Sequence, residues 1–232
     1  MKNEFVFFLP TRKGSERVIN KNTRLFSGQE GGILSIKIKQ LLEVELVDKI
    51  IVSTNDPATK EIAESFNSER IVIIDRPEYL CLSSTVIEDF INYIPTIVDA
   101  EHVFWVHATA PFVTASDYTE AIAKYKEVLS NGTHDSLLSV TKIQQFLWDI
   151  DTKNFINHDR TVVKWPRTQD LKPIFEINHA FYINSVENYV KYNDRIGVNP
   201  YLFELNRIKS FDIDWEDDFF IAEMIYEKYF KI

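Results

Sequence analysis

The chain lacks the features that mark secreted and membrane proteins. Its 232 residues include one cysteine, Cys81, so no intramolecular disulfide can form, which agrees with a reducing compartment. No segment approaches the roughly 18 consecutive apolar residues of a membrane span. The apolar run before Pro10 is too short for the apolar region of a signal peptide. We therefore expect a cytoplasmic protein with no membrane partner.

The chain also has little positive charge. Lysine and arginine number 26 against 35 aspartates and glutamates, which gives a formal net charge of −9 and a pI near 5.1. Nucleic acids and anionic membranes require broad basic surfaces, so neither is expected as the main partner. Hydrophobic residues make up 45% of the chain, enough to bury the core of one large α/β domain.

Several common catalytic signatures are absent. There is no G-x-S-x-G motif, so a serine hydrolase has no support. The five histidines show no metal-ligand spacing, and with a single cysteine a zinc site is not expected. The order Lys13-Gly14-Ser15 is the reverse of a Walker A motif, and the same loop has too few glycines for a G-x-G-x-x-G turn.

Short apolar runs alternate with helical patterns through the first 140 residues. The predicted strands cover residues 5–9, 49–53, 70–74, 102–107 and 136–141. The predicted helices cover residues 33–46, 57–66, 86–94 and 116–129. This alternation predicts a mostly parallel sheet with helices on both faces. In such sheets ligands bind at the carboxyl ends of the strands.

The alternation stops between residues 144 and 177, where two tryptophans, two prolines and scattered charges show no helical period. We interpret this segment as an inserted arm, about residues 143–178, that folds over the site and is a candidate for dimerisation. The β/α pattern returns with strands at 180–183 and 201–206 and a helix over about 216–230. The prediction is one domain, residues 1–232, that carries this arm.

A basic loop follows the first predicted strand and contrasts with the acidic chain. Between Arg12 and Arg24 there are five cations and one carboxylate, Glu16. Long side chains such as Lys21, together with backbone N–H groups around Gly14, can hold a polyphosphate. A solvated basic turn on the surface explains the same charge pattern about equally well.

Two aspartates alternate in the segment S-F-D-I-D-W at 210–215. On a strand, residues i and i+2 point to the same face, so Asp212 and Asp214 would converge on one point. Paired carboxylates beside phosphate oxygens suit Mg²⁺. Asp214 has a second interpretation as the N-cap of the last helix, with Asp217 three residues further on. Asp212 has no such structural explanation.

Five segments, taken in order, resemble the acylneuraminate cytidylyltransferase family, the CMP-sialic acid synthetases, with the CMP-Kdo synthetases as relatives. They are L-P-T-R-K-G-S-E-R at 9–17 with K-N at 21–22, D-R-P at 75–77 with Leu80, H-A-T-A-P at 107–111, P-R-T-Q-D at 166–170 with N-H-A-F-Y-I at 178–183, and F-D-I-D at 211–214 with A-E at 222–223. The family patterns are P-A-R-x-G-S-K-R…K-N, R-P-x-x-L, Q-P-T-S-P, R-Q-D…N-G-A-I-Y-I and V-D-I-D…A-E. The matches are colinear and cover nearly the whole chain.

The resemblance implies a Rossmann-like three-layer α/β nucleotidyltransferase fold and a homodimer formed through the arm. The implied reaction transfers CMP from CTP to the anomeric hydroxyl of a nonulosonic (sialic-like) 2-keto sugar acid and releases pyrophosphate. Catalysis of such an in-line displacement is mainly positioning and neutralisation of charge. The implied catalytic residues are Arg12 and Lys21, which clamp the triphosphate, and Asp212 and Asp214, which hold Mg²⁺. Whether an aspartate or a hydroxide on the metal takes the proton of the acceptor stays open.

The resemblance also implies which residues bind each substrate. The nucleotide-binding residues are Leu9, Pro10, Arg12, Gly14, Ser15, Lys21, Asn22, Arg76, Ser84 and Thr85. Among these, Asn22 and Arg76 would help to recognise the cytidine. The sugar-binding residues are His107, Thr109, Arg167, Gln169, Asn178 and His179. Arg167 is a natural partner for the carboxylate of the acid.

The departures from the family pattern concentrate on the sugar side. His107 replaces glutamine, His179 replaces a small glycine, and Thr168 separates the arginine from Gln169. At the phosphate end the one departure is Glu16, where the family usually has lysine. A lone histidine after a strand, such as His107, is more often structural than catalytic. The family is usually rich in small hydroxyl residues after R-P-x-x-L, whereas the segment 81–87, which includes Ser84 and Thr85, reads C-L-S-S-T-V-I.

Three interpretations remain open from the sequence. In the first, the acceptor is a sialic acid or a related nonulosonic acid of the legionaminic or pseudaminic type. In the second, the same chemistry acts on another acceptor, such as Kdo or a phosphonate. In the third, the chain is a non-catalytic nucleotide-binding homologue, although retention of both Asp212 and Asp214 argues against it.

Overall fold

A seven-stranded mixed sheet forms the centre of the protein. The computed structural model describes residues 3–230. The strands are β1 (Asn3–Pro10), β2 (Lys49–Thr54), β3 (Ile71–Asp75), β4 (Ala100–Val106), β5 (Ser136–Ile143), β6 (Trp148–Asp149), β7 (Asn154–Phe155), β8 (Ile174–Ser185) and β9 (Pro200–Leu205). The order in the sheet is β3-β2-β1-β4-β8-β5-β9, while β6 and β7 form a separate hairpin. Only β8 runs antiparallel to its neighbours in the large sheet.

Helices cover both faces of the sheet. They are α1 (Gly32–Leu42), α2 (Pro57–Ser65), α3 (Ile87–Ile97), α4 (Ala115–Ser130), α5 (Val186–Tyr192) and α6 (Glu216–Tyr229). Alternate residues of β1 enter two different cores, because successive side chains of a strand point to opposite faces. Phe7 belongs to the core that also contains residues of α1, α2, α4 and α6, whereas Phe8 belongs to the core that contains residues of α3 and α5. The predicted mostly parallel α/β sheet is confirmed.

The regular elements of the first 140 residues lie where the alternation predicts them, with ends that shift by a few residues. The largest difference is at the arm, since β8 begins at Ile174 and its first residues pair with the end of β5. The insertion is therefore residues 144–173, shorter than the predicted 143–178. It contains the β6–β7 hairpin and a 3₁₀ turn, Thr168–Asp170.

The segments that resemble the family meet at one edge of the sheet. The basic loop follows β1, residues 107–111 follow β4, and residues 206–214 follow β9. These three strands share one direction, so their carboxyl ends lie at the same edge. Antiparallel β8 begins at that edge. Segments up to 200 residues apart thus lie next to one another, in agreement with the expected site for a ligand.

Lys37 is a buried cation close to this edge. It lies in α1 with no exposed surface. Its Nζ donates to the backbone oxygens of Ala110 (2.9 Å) and Val113 (3.3 Å) and to the hydroxyl of Tyr118 (2.6 Å). Burial lowers the pKa of Lys37 to about 7, and the charge of Asp117 offsets only part of this effect. The lysine therefore ties α1 to the loop that follows β4.

We expect the stability of the protein to rise with pH because of Lys37. The ordinary pKa of 10.5 applies to the unfolded chain, and the folded value is about 7. Between these values the unfolded state binds more protons, so each increase in pH favours the folded state. From pH 7 to pH 9 this one group should add about 2 kcal/mol. Urea unfolding of the wild type and of Lys37→Met at both pH values measures the difference; equal pH dependence of the two proteins would contradict the assignment.

Candidate active site

Two clefts lie next to each other at the carboxyl edge. The first, named here the loop cleft, has a volume of about 430 Å³ and is lined by the basic loop. The second, named the aspartate cleft, has a volume of about 780 Å³ and is lined by both Asp212 and Asp214. Both volumes fall in the range of small-molecule sites, roughly 300–1,000 Å³. Side chains of one cleft contact those of the other, as described below.

The loop cleft combines cations with an aromatic floor. From the basic loop it is lined by Pro10, Thr11, Arg12, Ser15, Glu16, Arg17, Val18, Lys21 and Asn22. Arg76 closes one side, where its Nη2 donates to the backbone oxygen of Ser53 (2.7 Å) and its guanidinium lies 4.2 Å from the centre of the Phe90 ring. Burial lowers the pKa of Arg76 to about 10, so it stays charged at neutral pH. The cleft therefore suits an anion that carries a planar group.

Three buried side-chain atoms of residues that line the loop cleft have no hydrogen-bond partner among the described residues. They are Oγ1 of Thr11, Oδ1 of Asn22 and Nδ1 of His107. A buried polar group without a hydrogen bond costs about 1–3 kcal/mol. A bound molecule with N–H or O–H groups would remove that cost. In the chain, Thr11 precedes Arg12 and Asn22 follows Lys21.

The segment that carries the aspartates is not a strand of the sheet, although its alternation is interpreted with strand geometry. Instead of pairing with a neighbouring strand, the backbone N–H of Ile213 donates to the oxygen of Thr109 (3.0 Å), and the Ile213 side chain is fully buried. With Ile213 turned into the core, Asp212 and Asp214 both line the aspartate cleft. In an extended segment alternate side chains point to the same side, so the two carboxylates share a side although the segment is not hydrogen-bonded to a neighbouring strand.

The predicted N-cap at Asp214 is wrong. The N-cap of α6 is Trp215, and Oδ2 of Asp218 accepts from the backbone N–H groups of Trp215 (2.8 Å) and Asp214 (3.0 Å). The side chain of Asp214 is left for other contacts. Its Oδ1 lies 2.9 Å from Nη2 of Arg17 and 3.4 Å from Nζ of Lys21. Cations of the basic loop thus contact the aspartate pair directly.

Lys21 connects the two clefts. Its Nζ donates to the backbone oxygen of Ile213 (2.6 Å) as well as to Asp214. The ammonium therefore lies between the loop that lines the first cleft and the two carboxylates that line the second. A polyphosphate held by the loop would have its charged groups beside the aspartates.

The surroundings of Asp212 disfavour the negative charge of its carboxylate. Burial raises the pKa of this carboxyl and the charge of Asp214 raises it further, while a hydrogen bond to Thr109 acts in the opposite direction. Two hard oxygen ligands that repel each other fit Mg²⁺. Residues 3–230 contain no group of three or more His, Cys, Asp or Glu side chains placed to hold a metal. Asp212 and Asp214 provide two carboxylates, a number that Mg²⁺ commonly takes from a protein beside phosphate oxygens and water.

A family model described as cytidylyltransferase matches residues 6–231 of the chain. The chain belongs to the cytidylyltransferase family. The resemblance inferred from the five segments is therefore confirmed.

Relatives of the chain carry the names of several sugar acids. The N-acylneuraminate cytidylyltransferase of Escherichia coli is 26% identical, over 98% of this chain and 53% of that protein. The pseudaminic acid cytidylyltransferase of Campylobacter jejuni is 23% identical, over 98% of this chain and 97% of that protein. The CMP-N,N'-diacetyllegionaminic acid synthase of Legionella pneumophila is 25% identical, over 94% of each. The chain spans about half the length of the N-acylneuraminate relatives it matches.

Solved structures show the same fold. The CMP:2-keto-3-deoxy-manno-octonic acid synthetase complexed with CTP superposes with a TM-score of 0.66 at 14% identity, and the match covers 97% of this chain and 99% of that one. The 4-diphosphocytidyl-2C-methyl-D-erythritol synthase of Anaerococcus prevotii gives a TM-score of 0.63, also at 14% identity, over 97% of each chain. The α/β nucleotidyltransferase fold is thus shared with enzymes that have different acceptors in their names.

Several residues predicted for the nucleotide line neither of the two clefts. Leu9 is fully buried in the core, and neither cleft is lined by Gly14, Ser84 or Thr85. Thr85 Oγ1 instead donates to the backbone oxygen of Tyr79 (2.7 Å). Arg12, in contrast, reaches the 81–87 segment through Nη1, which donates to the backbone oxygen of Cys81 (2.9 Å).

The residues predicted for the sugar fall into two groups. His107 and Thr109 line the loop cleft, and Asn178 and His179 line the aspartate cleft. Asn178 is buried and uses its amide within the protein, where Oδ1 accepts from Ser139 Oγ (2.6 Å) and Nδ2 donates to Thr141 Oγ1 (3.1 Å).

Arg167 and Gln169 form the second group and line neither cleft. Arg167 is paired with Asp170 at 2.7 Å, and the backbone oxygen of Gln169 accepts from Gln144. Both residues belong to the arm.

Two residues of the site were not predicted from the sequence. Arg17 had a signal, since it is one of the five loop cations, but no role distinguished it from its neighbours. Arg195 had none, because it lies in the link between α5 and β9 and outside all five segments that resemble the family. It lines the loop cleft.

Proposed function

We propose that the protein transfers CMP from CTP to the anomeric hydroxyl of a nonulosonic 2-keto sugar acid and releases pyrophosphate. The observation that carries the proposal is the position of Lys21, which lines the loop cleft and donates to Ile213 and Asp214. The phosphates of a nucleotide bound to the loop would meet the carboxylate pair there. The names of the relatives support a sugar acid as the acceptor.

The loop cleft would hold the nucleotide. Arg12, Arg17 and Lys21 provide positive charge for the triphosphate, and charge-assisted hydrogen bonds to phosphate are among the strong ones. The unpartnered Oδ1 of Asn22 would accept from an N–H group of the base, which suits the amino group of cytosine. Arg76 lies beside Phe90 at the same cleft and would add contacts to the cytidine.

Mg²⁺ is the proposed cofactor, held by Asp212 and Asp214. When bound, it would neutralise phosphate charge and orient oxygens for displacement at the α-phosphate. The pairs that Arg17 and Lys21 make with Asp214 show that this carboxylate already faces positive charge. Arg12 and Lys21 would stabilise the departing pyrophosphate, which is the largest electrostatic task of an in-line transfer.

We also propose a homodimer formed through the arm, and a cytoplasmic location, which a single buried thiol at Cys81 supports. The arm exposes large apolar side chains, namely Trp148, Ile150, Ile156, Val162 and Trp165. Exposed apolar patches of this kind mark interaction surfaces. Arg167 and Gln169 line neither cleft of their own chain. In a dimer formed through the arm, they would instead contact a cleft of the second copy.

Pyrophosphate release tests the proposed reaction. With Mg²⁺ present, we expect CTP to support turnover with at least one member of a panel of sialic, legionaminic, pseudaminic and Kdo-type acids. UTP should be a poor donor because the O4 atom of uracil is an acceptor and would face the acceptor Oδ1 of Asn22. Chelation of Mg²⁺ with EDTA should stop release, and excess Mg²⁺ should restore it. Binding of CTP without turnover of any acid would favour a non-catalytic nucleotide-binding protein instead.

A further inference from the structure

Arg195 is a cation placed between the two clefts without a carboxylate partner. Arg17, Arg24 and Arg167 are each paired with an aspartate or glutamate, whereas Arg195 forms no salt bridge within residues 3–230. Its guanidinium lines the loop cleft, and its Nη2 lies 3.5 Å from Nδ1 of His179, a residue of the aspartate cleft. The positive charge of Arg195 is therefore available to a ligand at the junction of the clefts.

Two aromatic rings, named here the aromatic seat, lie against this guanidinium. The seat consists of Trp105 on β4 and Tyr182 on β8, which are direct partners in the pairing of the two strands. The Arg195 carbon Cζ lies 5.0 Å from the centre of the Trp105 ring and 4.1 Å from that of Tyr182. A guanidinium has five N–H donors, so one that contacts aromatic rings keeps donors that can bind a planar carboxylate in bidentate fashion.

Each of the two histidines on the sugar side holds one ring of the seat. Nε1 of Trp105 donates to Nε2 of His107 (3.1 Å), and the hydroxyl of Tyr182 lies 2.6 Å from Nδ1 of His179. Burial lowers the pKa of His107 to about 3, so it is neutral and can accept from the indole. These are the positions at which the family pattern has glutamine and glycine. The two departures from that pattern therefore have one common structural consequence.

We propose that Arg195 binds the carboxylate of the acceptor, and that His107 and His179 are positioning residues that hold Trp105 and Tyr182 beneath it. The proposal rests on the proposed function, since it assumes a 2-keto acid as acceptor. Thr109, which contacts Asp212, lines the same cleft as Arg195, so an acid held there lies beside the aspartate pair. Arg167, the arginine expected for this task from the sequence, is mostly exposed and already bound to Asp170.

The test compares an accepted sugar acid with its primary amide, which keeps the shape and loses the charge. The wild type should prefer the acid in kcat/KM by about 10- to 100-fold, the range for hydrogen bonds to a charged group. Arg195→Gln should lose most of that preference and raise the KM for the acid, with the KM for CTP little changed. Arg195→Lys should keep part of the preference. His179→Gly should show a weaker loss, since its φ of 57° suits glycine and only the support of Tyr182 is removed.

Lys191→Gln is the matched control. Lys191 is an exposed cation beside an aromatic ring, Tyr192, and it lines neither cleft. It should behave as the wild type does towards acid and amide. If Arg195→Gln lowers turnover of acid and amide equally, the arginine acts only in folding or packing and the proposal is overturned.

Failure of the proposed function gives a different result. If the wild type turns over no acid at all, equilibrium binding of the acids to the CTP-loaded protein decides the question for Arg195. Binding that the wild type shows and Arg195→Gln loses supports a carboxylate site in a protein that does not catalyse this reaction. Binding that is absent in the wild type, or unchanged in the variant, overturns the assignment of Arg195.

Discussion

Asp212→Asn should lower turnover by about 1,000-fold, because it removes one of two proposed metal ligands and the charge that faces the α-phosphate. Stability should change by less than about 1 kcal/mol, within the range of substitutions that create no cavity or buried charge. The carboxyl is partly buried and its pKa is raised by that burial, so a neutral amide of the same shape fits the position. The amide oxygen can still accept from Thr109. Steady-state kcat and the urea midpoint of the same preparations measure the two effects.

Asp217→Asn is the control for this loss. Asp217 is an exposed acid in the first turn of α6, and it does not line the aspartate cleft. Its substitution should leave kcat unchanged and cost about 0.3–1 kcal/mol through the helix dipole. Near-normal turnover of Asp212→Asn, or a comparable loss in both variants, would show that Asp212 does not hold the metal.

Lys21→Gln should be the second large effect, with kcat/KM for CTP reduced by about 100-fold. The side chain would lose its charge at the point where the loop cleft and the aspartate pair meet. Asp214 would keep only Arg17 as a cationic partner. We expect the KM for CTP to rise and kcat to fall together, since the charge acts on bound triphosphate and on departing pyrophosphate. Initial rates over a matrix of CTP and acceptor concentrations separate the two constants.

Lys13→Gln controls for loss of positive charge from the same loop. Lys13 is exposed and lines neither cleft, and the contact it makes to Asn55 comes from its backbone N–H. Its effect should be small and should weaken with added salt, as expected for a screened surface charge. Equal losses in Lys13→Gln and Lys21→Gln would mean that the loop attracts CTP only through its net charge.

The strands that could be predicted are those whose own residues form an apolar run in the sequence. Strands such as β1 and β2 are apolar on both faces, because helices cover both, and this distinguishes them from their polar surroundings. Their shared direction then places the basic loop and the segments after β4 and β9 at one edge. The meeting of Lys21 with Asp214, 193 residues apart, follows from that topology.

Other features of the structure could not be predicted, because they depend on contacts between residues that are far apart in the sequence. The first residues of β8 are partly exposed and include Glu176, so they do not stand out from the arm, although they pair with β5. The segment 211–214 alternates like a strand, but its backbone bonds to the loop after β4. The seat of Arg195 combines Trp105 and Tyr182, which meet only through the pairing of β4 with β8.

The central claim is that the triphosphate lies on the basic loop and meets a metal held by Asp212 and Asp214. A crystal structure of the protein with CTP and Mg²⁺, without acceptor, tests this claim most directly. The account predicts phosphate oxygens on Arg12 and Lys21, the cytosine amino group at Oδ1 of Asn22, and an ion that joins the two aspartates to the triphosphate. A nucleotide bound elsewhere, or an ion bound to the phosphates without either aspartate, would contradict it.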